Sequence, residues 1–149
     1  MSKEHGSQKH ENKLTLEQKQ AKEDVDKIRP ILEKDPDWPL VSGIQKPNTQ
    51  EEYNKENRAQ TRLTKKAVQL LYPDYKVSST HGTGTAHYWV YVDITIPERL
   101  EYSEERKIVG RTDAMLEQVG IKYGGYFSDS LPGKDTWTSC LRIEINVAR

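Results

Sequence analysis

The chain of 149 residues carries 23 basic and 23 acidic side chains, so its net charge is zero and the global basicity of a nucleic-acid-binding domain is absent. Apolar residues make up 34%, below the globular norm, and they concentrate beyond the first third, which leaves roughly 100 residues to build a core. A single cysteine, Cys140, excludes an intrachain disulfide and a cysteine-built zinc cage.

No apolar run reaches bilayer length, and the hydrophilic N-terminus is not a secretory leader, so a cytoplasmic protein outside the membrane is expected. Residues 1–13 (MSKEHGSQKHENK) lack periodicity and read as a disordered tail. Thr15 then caps a helix whose narrow apolar stripe is Ala21, Val25, Ile28 and Leu32; Pro30 should kink it or end it near Ile28. With the proline-rich linker that follows, this makes a helical arm over residues 14–48, tethered through Trp38, Leu40, Val41 and Ile44.

The main domain is expected over residues 49–149. Thr49 and Glu52 form a capping box, and a helix runs from about 50 to 71 with Tyr53, Leu63, Ala67, Leu70 and Leu71 inward, stopped by Pro73. A strand over 75–80, a turn at His81-Gly82-Thr83-Gly84-Thr85 and a strand over 86–96 follow. In the second strand Val90, Val92, Ile94 and Ile96 alternate with Trp89, Tyr91, Asp93 and Thr95. Ser103 starts another helix, with Ile108, Met115, Leu116 and Val119 as its stripe and Gly120 as its C-cap. Strands over 122–129 and 137–147 complete the chain, joined by a Pro132-Gly133 turn.

Residues 59–98 and 110–149 align without a gap at a shift of 51. Thr61 falls on Thr112, Val68 on Val119, Tyr72 on Tyr123, Gly82 on Gly133 and Ile94 on Ile145, and the strand Val90–Ile96 falls on Leu141–Val147. Such self-similarity predicts an α+β fold, a pseudo-duplicated αββ-αββ unit. Its four-stranded antiparallel sheet would carry two helices on one face, with the helical N-terminal arm added.

Three features carry candidate function. Lys55, Arg58, Arg62 and Lys65 recur at helical spacing with Lys66 adjacent, a basic ridge suited to a phosphate backbone; the bland alternative is a solvated face whose cations pair with acids elsewhere. On the sheet face opposite the helices, Trp89 and Tyr91 beside Arg142 form a stacking platform for unpaired bases, unless the arm or a second copy covers it. The turn residues His81, Gly82, Thr83 and Gly84 are an anion-binding candidate, since glycines let backbone N–H groups approach an anion, although a hairpin turn explains them equally.

The leading expectation is therefore a non-enzymatic binding module for nucleic acid, with a protein–protein adaptor or homodimer as rival. A small metal- or phosphate-dependent enzyme built on His81, His87, Asp93 or Glu144 is third. The sequence assigns no catalytic residue, metal ligand set or cofactor. The duplicated helix-plus-hairpin plan resembles that of LAGLIDADG homing endonucleases, but neither helix holds that family's motif, and its activity is not carried over.

Overall fold

The computed structural model describes residues 16–82, 89–123 and 141–148. Among the described residues four helices and three strands follow in the order α1 (Leu16–Glu33), α2 (Trp38–Val41), α3 (Gln50–Leu71), β1 (Lys76–His81), β2 (Val90–Ile96), α4 (Tyr102–Gln118) and β3 (Leu141–Val147). The class is α+β. The 1–13 tail lies outside the described residues.

α3 begins where its capping box places it. The Thr49 hydroxyl accepts from the Glu52 N–H at 3.1 Å, and the Glu52 carboxylate reaches back to the Asn48 N–H at 3.4 Å. Ala59, Leu63, Ala67, Val68 and Leu71 are buried on its inner side. Leu70, expected inward, is instead 41% exposed. Neighbouring pairs such as Ala67 and Val68 are both buried, so the helical period alone does not turn Leu70 outward; it stands in the last turn of α3, where it extends the row Arg58, Arg62, Lys66 at intervals of four. α4 starts at Tyr102 after Glu101, one residue ahead of the expected Ser103 cap, and Glu105 accepts from the Leu100 N–H at 3.0 Å. Gly120 follows its end at φ 111°, a conformation that favours glycine, and a Cβ there would press on the Trp38 ring at 3.2 Å.

The sheet order is β1-β2-β3. β1 and β2 pair antiparallel, Val77 opposite Ile94 and His81 opposite Val90, as a hairpin requires. β2 and β3 pair parallel, from Val90 opposite Leu141 to Ile96 opposite Val147. This corrects the all-antiparallel expectation. Alternation assigns a face to each residue but no direction; direction follows from the connection, and a crossover containing α4 returns the chain to run alongside β2 in the same sense. The shift of 51 that aligned the two halves is the register of this pair, so aligned strand residues are hydrogen-bonding neighbours. The expected 122–129 strand lies, from residue 124, outside the described residues, so the described sheet has three strands.

Val77, Val90, Val92, Ile94 and Ile96 bury the inner sheet face against α3 and α4, and the inward residues of β3 are half-buried. α1 packs on α4 and α3 and so joins the helical layer. It runs three residues past Pro30, against the sequence expectation. Asp26 and Pro30 are both exposed, so the carbonyl that loses its helical partner lies on the water side. Ala21, Ile28 and Leu32 are buried as the stripe predicts, and Trp38, Leu40 and Val41 tether the linker, whereas Ile44 is 75% exposed and does not.

Polar contacts fix the helical layer. Asp24, 4% exposed on the buried stripe of α1, receives two hydrogen bonds from the Arg111 guanidinium of α4, at 2.8 and 2.9 Å, and one from Gln20 at 3.1 Å. Arg111 also lies over the Tyr72 ring, 5.5 Å from its centroid. Tyr72, just beyond α3, donates to the Ile108 carbonyl of α4 at 3.4 Å; Tyr123, just beyond α4, meets the Thr64 hydroxyl of α3 at 2.6 Å. These two tyrosines are a pair that the 51-residue shift aligns. Burial raises both phenols above their ordinary range.

Candidate functional site

The basic ridge lies on the outer side of α3, with Lys55, Arg58, Arg62, Lys65 and Lys66 all exposed. Its N-terminal half is partly neutralised from within the chain. Arg62 holds both Asp35 carboxylate oxygens, at 2.6 and 2.9 Å, and reaches Asp37 at 2.9 Å; Lys55 lies 3.5 Å from Asp37. Asp35 and Asp37 belong to the turn between α1 and α2, and the Asp35 side chain is only 8% exposed. The hydrogen bonds from Arg62 hold the Asp35 carboxyl down at about 2, with help from the Asp37 N–H, and the pair keeps the guanidinium charged more firmly still. Among the described residues no ion pair engages Arg58, Lys65 or Lys66.

Beyond Arg62 the ridge borders an open groove of about 650 Å³, lined by Arg62, Lys65, Lys66, Gln69, Leu70 and Pro73. The Gln69 amide is turned away, donating to the Tyr72 and Tyr75 carbonyls at 2.9 and 2.7 Å. Carbon therefore lines the groove and ammonium groups stand at its rim. Glu56, on the inner side of α3, is buried, and burial raises its carboxyl to about 6.

The outer sheet face carries Tyr91, Asp93, Arg142, Glu144 and Asn146, with Trp89 just before β2. Because α1 sits in the helical layer, no described helix covers this face. Tyr91 is opposite Arg142 and Asp93 opposite Glu144, around a depression of about 240 Å³. One arginine stands there against two carboxylates. Arg142 pairs with Glu144 at 2.9 Å, and Asn146 donates to Asp93 at 3.0 Å. Trp89 and Tyr91 are half-buried; Cys140 lies outside the described residues.

At the hairpin, the Gly82 N–H donates to the Trp89 carbonyl at 3.0 Å, so this amide serves the turn rather than an anion. His81 points to the helical side, where its ring meets the Thr61 hydroxyl at 2.9 Å. Asp93 points to the other side, so the grouping of these two residues for an enzyme does not form. Thr83, Gly84, Thr85 and His87 lie outside the described residues. No group of three His, Cys, Asp or Glu side chains able to hold a metal ion occurs among the described residues, and none of their helices is long and apolar enough to cross a membrane.

Sequence reasoning missed Asp24, Asp35, Asp37 and the outward Leu70. Asp24 had a signal, since an acid on an apolar stripe between Ala21 and Ile28 needs a buried partner. Asp35 and Asp37 had none, because ion pairs spanning 25 to 27 residues leave no local pattern. No protein-family model, curated protein or solved structure matches the chain.

Proposed function

We propose that this protein is a non-enzymatic binding module and that its ligand is nucleic acid, held on the outer side of α3. The observation that carries the reading is the row of Arg58, Lys65 and Lys66, exposed and outside any described ion pair, whose two lysines line an open groove. Such cations bind phosphates with release of counterions, so affinity should fall as salt rises. Arg62 and Lys55 take a supporting role, since Asp35 and Asp37 occupy them. Lys65→Glu with Lys66→Glu is expected to abolish binding to a mixed oligonucleotide pool at about 50 mM salt. If the wild-type protein fails to bind that pool, the reading is wrong.

A second reading, a protein adaptor or homodimer, is favoured by the outer sheet face, which no described helix covers and on which Tyr91, the Arg142–Glu144 pair and the hydrogen-bonded Asp93 stand. A partly aromatic surface whose arginine is already paired suits a protein better than a phosphate chain. Sedimentation velocity over a range of concentrations tests it for self-association. A mass that stays monomeric removes the homodimer.

Duplication of an αββ unit with a four-stranded sheet is proposed on the same terms. Its support is the reciprocal reach of Tyr72 and Tyr123 onto each other's helices and the coincidence of the internal shift with the β2–β3 register.

A further inference from the structure

We infer that the groove at the C-terminal end of α3 takes single-stranded rather than duplex nucleic acid, with an unpaired base on Leu70 and Pro73 and neighbouring phosphates on Lys65 and Lys66. The inference rests on the nucleic-acid reading above and narrows its ligand.

The argument starts from Leu70. It is a large apolar side chain, 41% exposed, at the end of a row otherwise made of cations. Pro73 continues the apolar surface and has no N–H to offer. Gln69, the one uncharged polar side chain lining the groove, has its amide committed to the Tyr72 and Tyr75 carbonyls. The floor is therefore carbon, framed by the stems of Lys65, Lys66 and Arg62 with charge at the rim.

A duplex keeps its base faces in the stack and presents phosphate and sugar outward. It would satisfy the lysines and leave Leu70 and Pro73 without a partner. An unpaired nucleotide brings a flat, weakly hydrated face and a phosphate together, matching both parts of the groove. About 650 Å³ lies within the size range of small-ligand clefts, roughly 300–1,000 Å³, and limits the footprint to a few nucleotides. With no free donor on the floor, base identity should matter little. Two lysine contacts predict a shallow salt dependence, a log–log slope of about −1.4 at roughly −0.7 per phosphate on a single strand.

The test measures fluorescence anisotropy of the full chain with labelled oligothymidylate, the dT·dA duplex of the same length, and polyglutamate, each at about 50 mM salt. Oligothymidylate is expected to bind at least about fivefold more tightly than the duplex. Leu70→Gln should erase that preference with duplex affinity unchanged, and Leu70→Phe should keep or enlarge it. Lys65→Gln with Lys66→Gln should flatten the salt slope of the single strand. Far-UV circular dichroism of each variant confirms the fold, and the exposed position of Leu70 makes both replacements structurally mild. Equal or tighter duplex binding, or a preference that survives Leu70→Gln, overturns the inference and leaves the broader nucleic-acid reading intact. Polyglutamate binding as tightly as oligothymidylate also overturns it, because the groove would then be reading charge alone. Failure of both nucleic acids to bind removes the inference and the broader reading together.

Discussion

Arg111→Met should loosen the N-terminal arm, and the structure sets the size of the effect. Asp24 is 4% exposed and receives two of its three hydrogen bonds from Arg111. Removing the guanidinium leaves a buried carboxylate with Gln20 alone. Breaking a fully buried pair from one side costs about 3–5 kcal/mol. Arg111 is itself 37% exposed, so water reaches part of the site and the lower end applies, about 3 kcal/mol including the lost contact with the Tyr72 ring. Replacing both partners, Asp24→Leu with Arg111→Met, removes the stranded charge and should return stability to within about 1 kcal/mol of wild type. Urea denaturation of the four proteins, followed by far-UV circular dichroism, closes a double-mutant cycle whose coupling should be about 2–3 kcal/mol. A single-variant loss below about 0.5 kcal/mol, or a coupling near zero, would refute the view that this pair fastens α1 to α4.

Three further outcomes follow from buried polar groups. The Ser79 hydroxyl is buried without a hydrogen-bond partner among the described residues, so Ser79→Ala should raise stability by about 1 kcal/mol in the same urea assay; a loss would show that the hydroxyl is satisfied. Tyr123→Phe strands the Thr64 hydroxyl and should cost about 1–2 kcal/mol, most of it recovered by adding Thr64→Val; no recovery would rule out the hydrogen bond as the source. Glu56 has its carboxyl raised from 4.5 to about 6, so its folded-state contribution is fully present below pH 4.5 and fades as pH rises through 6. Glu56→Gln should therefore be more stable than wild type at pH 8, by about 1–2 kcal/mol, with the gap closing below pH 4.5; a gap independent of pH would exclude this titration as the cause.

What was legible in the sequence was local. The Thr49–Glu52 box and Pro73 bound α3, and alternation separated Val90, Val92, Ile94 and Ile96 from Tyr91 and Asp93, because both signals are complete within a few residues. Strand direction was not legible, since a period of two is the same read forwards or backwards. The α3 stripe was drawn with both Leu70 and Leu71, but in the last turn of the helix only Leu71 is buried, and how far the packed layer extends along a helix is not written in its period. The basic ridge was legible as a row of exposed cations, but its partners were not. Asp35 and Asp37 stand in a turn whose course over α3 depends on how α1 docks, and that docking depends on Asp24 finding Arg111, 87 residues away.

The parallel partnership of β2 and β3 also has a cost during biosynthesis. Each residue of β2 meets its β3 neighbour 51 positions later in the chain. A ribosome adding about 5–20 residues per second leaves that flank of β2 open for roughly 3–10 s. A nascent chain with an unpaired, valine- and isoleucine-rich edge invites pairing between molecules, so slowed elongation between Pro97 and Cys140 should promote aggregation more than an equal delay elsewhere.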